Sequence, residues 1–221
     1  AFQGLVLDAG AHTVASSVPS QLIEFVGDSI TAGATDTKRA LSDYAWLIGE
    51  RLAVRHTQIA YGGICLVDHV RCYSPNGQGN GIGMSRAFFK LQTVTSPNSP
   101  NWDFSRYQAN EVVINLGTND NTKRLSDTTF QSVYITFIKN IRAKYPHASI
   151  FVLRTFGGYK ATPTQAAVHA IHVAGDSKVY YVNTTGWLIS SDYAPDGLHP
   201  TDSGQMKVAA RLAPILKPYL A

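Results

Sequence analysis

The chain has 221 residues, 44% of them hydrophobic and 15% charged, with a formal net charge of +4. That is enough apolar material for one well-buried core and too little charge to keep the chain disordered. No run of about 18 apolar residues marks a membrane span, and no Lys/Arg cluster marks a nucleic-acid surface, so neither a membrane nor a nucleic-acid partner is expected; the sequence does not give the oligomeric state, and a monomer is favoured.

At the N-terminus, Ala1-Phe2-Gln3-Gly4 lacks the charged and apolar regions of a signal peptide, which fits a cytosolic chain or one already cleaved. Gly4-Leu5-Val6-Leu7-Asp8 reads as an edge strand, and Ala11 to Ser20 as a connector. Leu22-Ile23-Glu24-Phe25-Val26 is a short apolar run ending at Gly27, and a helix is expected soon after Ser29. Tyr44 to Leu52 has helical spacing, and Thr57 to Tyr61 is a second strand ending at Gly62-Gly63. Cys65 and Cys72, the two cysteines of the chain, flank one loop; such a pair closes a disulfide in a secreted protein, with two free thiols the alternative. Asn76 to Gly83 alternates glycine with other residues and resists regular structure, and Val94 to Asp103, rich in Ser, Pro and Asn, is loop.

Glu111 to Leu116 is a third strand, ending at Gly117. Phe130 to Tyr145 is helical, with Pro146 as its stop. Ser149 to Leu153 and Val179 to Val182 are further strands. Between them Pro163 to Ala174 is helical, with Thr162 as its cap. A last helix, Met206 to Leu216, is entered through Thr201-Asp202-Ser203. Strands alternating with longer helices indicate an α/β fold around a parallel sheet.

In such a sheet, sites form where strands end. Ser29 lies just past the first strand, where its hydroxyl could act as a nucleophile given an adjacent base. His199 can be that base, and Asp196, three residues earlier, can orient it and stabilise the imidazolium. Asn119, Gly63 and the N–H of Ser29 can donate to an oxyanion. Taken singly, each residue is equally at home as a cap or turn residue. Jointly they are the parts of an acyl-transfer site.

Gly27-Asp28-Ser29, Gly63, Asn119 and Asp196-Gly197-Leu198-His199-Pro200 together resemble the four blocks of the SGNH hydrolases, also called GDSL esterases and lipases. The resemblance covers about residues 22–215, with Ile30 where the first block usually has Leu. It implies a three-layer α/β/α sandwich with a five-stranded parallel sheet, of flavodoxin-like SGNH hydrolase type. It also implies Ser29 as nucleophile, His199 as base, Asp196 as its orienting acid, and an oxyanion hole of Ser29, Gly63 and Asn119. The passage from Gly4 through Gly33 is similar to the entry into the catalytic domain of the second family of carbohydrate esterases, which act as acetyl esterases on xylan and related glycans. By that likeness residues 1–20 are the remnant of a β-sandwich domain, residues 21–221 are the catalytic domain, and the partner is an acylated polysaccharide.

No cofactor or metal is implied. His169 and His172 form a His-x-x-His pair without a further ligand nearby and read as surface or packing residues. Trp46, Trp102 and Trp187 could stack on sugar rings, Trp187 best placed among them, with core packing the alternative. Asn183-Thr184-Thr185 is a glycosylation sequon, and with the cysteine pair it favours an extracellular protein. Other expected activities on the same scaffold are those of a lipase, lysophospholipase or thioesterase; a glycan-binding module with a vestigial site belongs to another class.

Overall fold

Five apolar runs become strands because both of their faces find cover. The computed structural model describes residues 4–15, 17–72, 81–92, 94, 96 and 98–220. Strands β1 (Leu22–Gly27), β2 (Arg55–Ala60), β3 (Glu111–Asn115), β4 (Ser149–Leu153) and β5 (Val179–Val182) pair in parallel in the order β2-β1-β3-β4-β5. The three central strands are buried throughout, whereas the two edge strands are partly exposed.

Alternation along the strands sends Phe25, Val113 and Phe151 to one face. There they meet Tyr44 and Ile48 of α1 (Tyr44–Leu52) and Val208, Leu212 and Leu216 of α6 (Asp202–Leu216). Val26, Ile114 and Val152 face the other way, against Phe130, Phe137 and Ile138 of α4 (Asp127–Lys144) and Ile171 of α5 (Ala161–Val173). Two short helices, α2 (Met84–Ala87) and α3 (Thr118–Thr122), complete the chain order. Each fully buried side chain of this kind contributes about 1.5–3 kcal/mol, so the two helical layers hold the sheet rigid between them. The expected three-layer α/β/α architecture is what forms.

The helix starts follow from local chemistry. Asp43 caps α1 by accepting from the Trp46 N–H, Ser126 caps α4 through the Thr129 N–H, and Thr201 caps α6 through the Gly204 N–H. Thr162 is not the cap of α5. Lys160, in a left-handed conformation, takes that place, and Thr162 is the second helical residue. Pro163 then falls within the first turn, where its missing N–H costs no hydrogen bond.

Two other expectations are corrected. Gly4–Asp8 pairs with no strand among the described residues, and Leu5, Val6 and Leu7 stand exposed with no neighbouring edge to bond. The segment after Ser29 starts no helix; it winds through tight turns, with Ala32 N–H donating to Asp28 O and Ala34 N–H to Ser29 O, before α1 begins at Tyr44. The glycine-rich stretch Asn76–Gly83 lies mostly outside the described residues; of it, residues 81–83 are described and carry no regular structure.

With β2 on one side of β1 and β3 on the other, the order of the sheet reverses at β1. In doubly wound sheets that reversal opens a crevice at the carboxyl ends of the strands. Ser29, Gly63 and Asn119 follow β1, β2 and β3 respectively.

Candidate active site

The segment after β1 turns sharply because Gly27 has no side chain: a Cβ there would lie 2.0 Å from Thr31 Oγ1. Asp28, 1% exposed, turns inward and accepts the Ile30 N–H at 3.0 Å, which leaves Ser29 facing outward. Burial pushes the Asp28 carboxyl up to about 6.

His199 sits in the loop before α6. Tyr193 and Pro200 form an antiparallel bridge, and the Ala194 N–H donates to His199 O at 2.8 Å, which folds the intervening residues into a compact turn. Inside that turn Asp196 Oδ1 accepts the N–H groups of Leu198 and His199 at 2.9 and 3.0 Å. Its other oxygen, Oδ2, lies 2.6 Å from His199 Nδ1. These bonds, that to the imidazole first, hold the Asp196 carboxyl down to about 2. An ionised carboxylate only accepts, so Nδ1 carries the ring proton and Nε2 is left with its lone pair. Nε2 lies 2.8 Å from Ser29 Oγ, across 170 residues of sequence. The Ser29 hydroxyl therefore faces an imidazole nitrogen able to accept its proton.

The two loops are tied together away from that contact. Thr35 Oγ1 donates to Pro200 O at 3.1 Å, and Asp202 Oδ1 accepts the Thr37 N–H at 2.9 Å. Gln205, buried in α6, donates to Ile30 O and to Asp36 Oδ2 and accepts the Tyr44 N–H. Asp192, 2% exposed, accepts the Ile189 N–H and pairs with Lys207, while its carbonyl accepts the Thr201 N–H. None of these ties was foreseen from the sequence, since polar residues in loops carry no signal of a distant partner.

Two further groups face the same strand ends. Gly63 adopts φ +77°, which L residues avoid, so its place in the loop after β2 requires glycine. A Cβ on its neighbour Gly62 would come within 3.9 Å of Ser29 Cβ, which brings this loop beside the hydroxyl. Asn119 is the second residue of α3, and its Nδ2 donates to Ile64 O at 2.9 Å, leaving one amide N–H for another acceptor. The N–H groups of Ser29 and Gly63 donate to nothing among the described residues. Ser29, Gly63, Asp196 and His199, on loops, and Asn119, at the start of α3, are thus carried at one end of the sheet. Such a set can deprotonate an alcohol and offer N–H donors to a developing oxyanion.

The remaining expected residues lie elsewhere. Cys65 and Cys72 form a disulfide with Cα atoms 5.6 Å apart, closing the loop that follows Gly63. Trp187 is half-buried and packs against the core under α1 and α6; Trp46 stands edge-on to His56, and Trp102 packs against Tyr107. His172 contacts Val179 O, and His169 is exposed. Asn183 is exposed just beyond β5, where its Oδ1 accepts from Thr185 N–H and Oγ1. No helix among the described residues is long and apolar enough to cross a membrane.

The profile of the GDSL-like lipase/acylhydrolase family matches residues 25–207. Among curated proteins, the chain is 29% identical to the cellulase/esterase CelE of Acetivibrio thermocellus, over 98% of this chain and 28% of that protein. It is 24% identical to an acetylxylan esterase/glucomannan deacetylase of Cellvibrio japonicus, over 96% of this chain and 61% of that protein. The chain thus spans less than two thirds of either relative. Among solved structures, a family two carbohydrate esterase from Clostridium thermocellum in complex with cellohexaose superposes with a TM-score of 0.78 at 28% identity, over 94% of this chain and 67% of that one.

Proposed function

Because the chain belongs to the GDSL-like lipase/acylhydrolase family, we propose that it is a serine esterase that removes small acyl groups, acetyl above all, from plant-type polysaccharide. The observation that carries this reading is the unbroken relay from Ser29 Oγ to His199 Nε2 at 2.8 Å and from His199 Nδ1 to Asp196 at 2.6 Å. The polysaccharide part is supported by the relatives, one named a cellulase/esterase and the other an acetylxylan esterase/glucomannan deacetylase, and by the structural relative in complex with cellohexaose.

In the proposed mechanism His199 takes the Ser29 proton as Oγ attacks the ester carbonyl. The carbonyl oxygen becomes an oxyanion, which the N–H groups of Ser29 and Gly63 and the free amide N–H of Asn119 would stabilise; one such donor is worth about 3–4 kcal/mol. Collapse breaks the bond to the sugar oxygen, which leaves with the proton from His199. Water, deprotonated by the same imidazole, then hydrolyses the acyl-enzyme and restores Ser29. Asp196 stays ionised throughout and stabilises the imidazolium. The Cys65–Cys72 disulfide supports an extracellular place of action, since such bonds persist in oxidising compartments.

Turnover of aryl acetates and acetylated xylan or glucomannan, compared with long-chain esters, tests the reading. Short-chain preference is expected, and preference for long acyl chains would reassign the protein to a lipid acylhydrolase. Ser29→Ala is expected to leave the fold unchanged by circular dichroism and to remove turnover. Retained turnover in that variant would refute the assignment.

A further inference from the structure

Asp120 directly follows Asn119 in α3, and its carboxylate is fully buried at 0% exposure. One oxygen, Oδ2, accepts the Leu66 N–H at 2.9 Å and the other, Oδ1, accepts the Val67 N–H at 3.1 Å. The side chain of Asn119 meanwhile donates to Ile64 O at 2.9 Å. Three hydrogen bonds thus join two consecutive residues of α3 to the segment 64–67, which begins one residue after Gly63. Cys65, which is bonded to Cys72, lies in the same segment. A single bond would fix only a distance. A carboxylate that grips two successive N–H groups also fixes how that backbone is turned.

Oxyanion donors act only when they sit 2.7–3.1 Å from the developing charge, and a displacement of about 1 Å can cost about a hundredfold in rate. Gly63 and Asn119 reach the site from different strands, β2 and β3, with β1 between them. Their mutual spacing therefore depends on whatever bridges the two loops. We infer that Asp120 is a positioning residue for ester hydrolysis, holding the Gly63 N–H and the Asn119 amide at the spacing a tetrahedral oxyanion requires. The inference rests on the esterase reading above and adds to it a residue that touches neither substrate nor the reacting atoms.

Asp120→Asn keeps the size but turns one acceptor toward the loop into a donor. On an aryl acetate it is expected to lower kcat about ten- to hundredfold with KM changed less than about threefold. A purely structural role would instead lower the melting temperature and leave kcat of the folded protein intact, and that outcome overturns the inference. In an Asn119→Ala background the same substitution is expected to cost far less, because one of the two donors it aligns is gone. An undiminished cost there also overturns it.

Amide exchange of Leu66 and Val67 in the wild-type protein gives a readout independent of turnover. Slow exchange is expected, and rapid exchange overturns the inference even if the Asp120 variant does not fold. The two readings fail differently. No ester turnover by the wild type defeats both, whereas turnover abolished by Ser29→Ala but untouched by Asp120→Asn defeats this one alone.

Discussion

The Asp196 side chain is 44% exposed, yet its carboxyl is held down to about 2 by the imidazole and the two backbone N–H groups it accepts. Its folded value lies below the ordinary 3.8, so what it adds to stability is present above about pH 4 and is lost as pH falls toward 2. Solvent screening keeps that contribution small. Its kinetic weight is larger. Asp196→Asn would let the amide donate to Nδ1 and so favour the tautomer with its proton on Nε2, facing Ser29. We expect kcat to fall by about 10²–10⁴-fold, the upper figure being that of a fully enclosed triad, with Ser29→Ala as the floor. Asp196 remains ionised through the mildly acidic range, so it keeps its hold on the imidazole there. A kcat/KM profile flat from acid to neutral pH would count against His199 as base. These residues were legible because each stands in a short block of chemically active type. Asp120 and Gln205 were not: their partners lie 54 and 161 residues away, and nothing local in the sequence announces an N–H waiting at that distance.

At the scale of elements, the strands were readable because runs such as Val112-Val113-Ile114 have the β-branched content that suits a sheet covered on both faces. Helices α1, α4 and α6 were readable from apolar spacing, although α4 and α6 begin at Asp127 and Asp202, before the first apolar residues of that spacing. Helix α3 was not: Gly117-Thr118-Asn119-Asp120 has the composition of a turn, and five residues are too few to show a period. What keeps so short a helix in place is its bonding to the loop after β2. That loop is also closed covalently, since Cys65 and Cys72 are seven residues apart. Removing such a short cross-link restores unfolded-chain freedom worth roughly 2–3 kcal/mol. The double variant Cys65→Ser/Cys72→Ser is therefore expected to melt about 5–10 °C lower. An unchanged melting temperature would mean that the loop is equally restricted without the bond.

Across the whole molecule, burial raises several carboxyls together: Asp28, Asp36 and Asp120 to about 6, Asp43 to about 7 and Glu111 to about 8. A carboxyl whose folded value is raised binds its proton more tightly in the native state. Its ionisation therefore begins to cost stability as pH climbs past the ordinary value, and the full cost is reached above the folded value. Melting temperature should peak in mild acid and decline toward pH 8. Glu111, which opens β3 and has no partner for either carboxylate oxygen among the described residues, carries one of the two large shares, with Asp43. Glu111→Gln should raise the melting temperature by about 5–10 °C at about pH 8.5 and leave it unchanged near pH 4; equal melting curves at alkaline pH would contradict this assignment.

The bond between residues 29 and 199, and the ties from Ile30, Thr35, Asp36 and Thr37 to Gln205, Pro200 and Asp202, have a consequence in time as well as in space. Contacts so remote along the chain cannot form until both segments have been synthesised. On the proposed mechanism, a polypeptide still being translated holds Ser29 before it holds His199, and would stay inert until the segment carrying His199 has left the ribosome and docked. Proteolytic clipping ahead of that segment would return a finished molecule to the same silence.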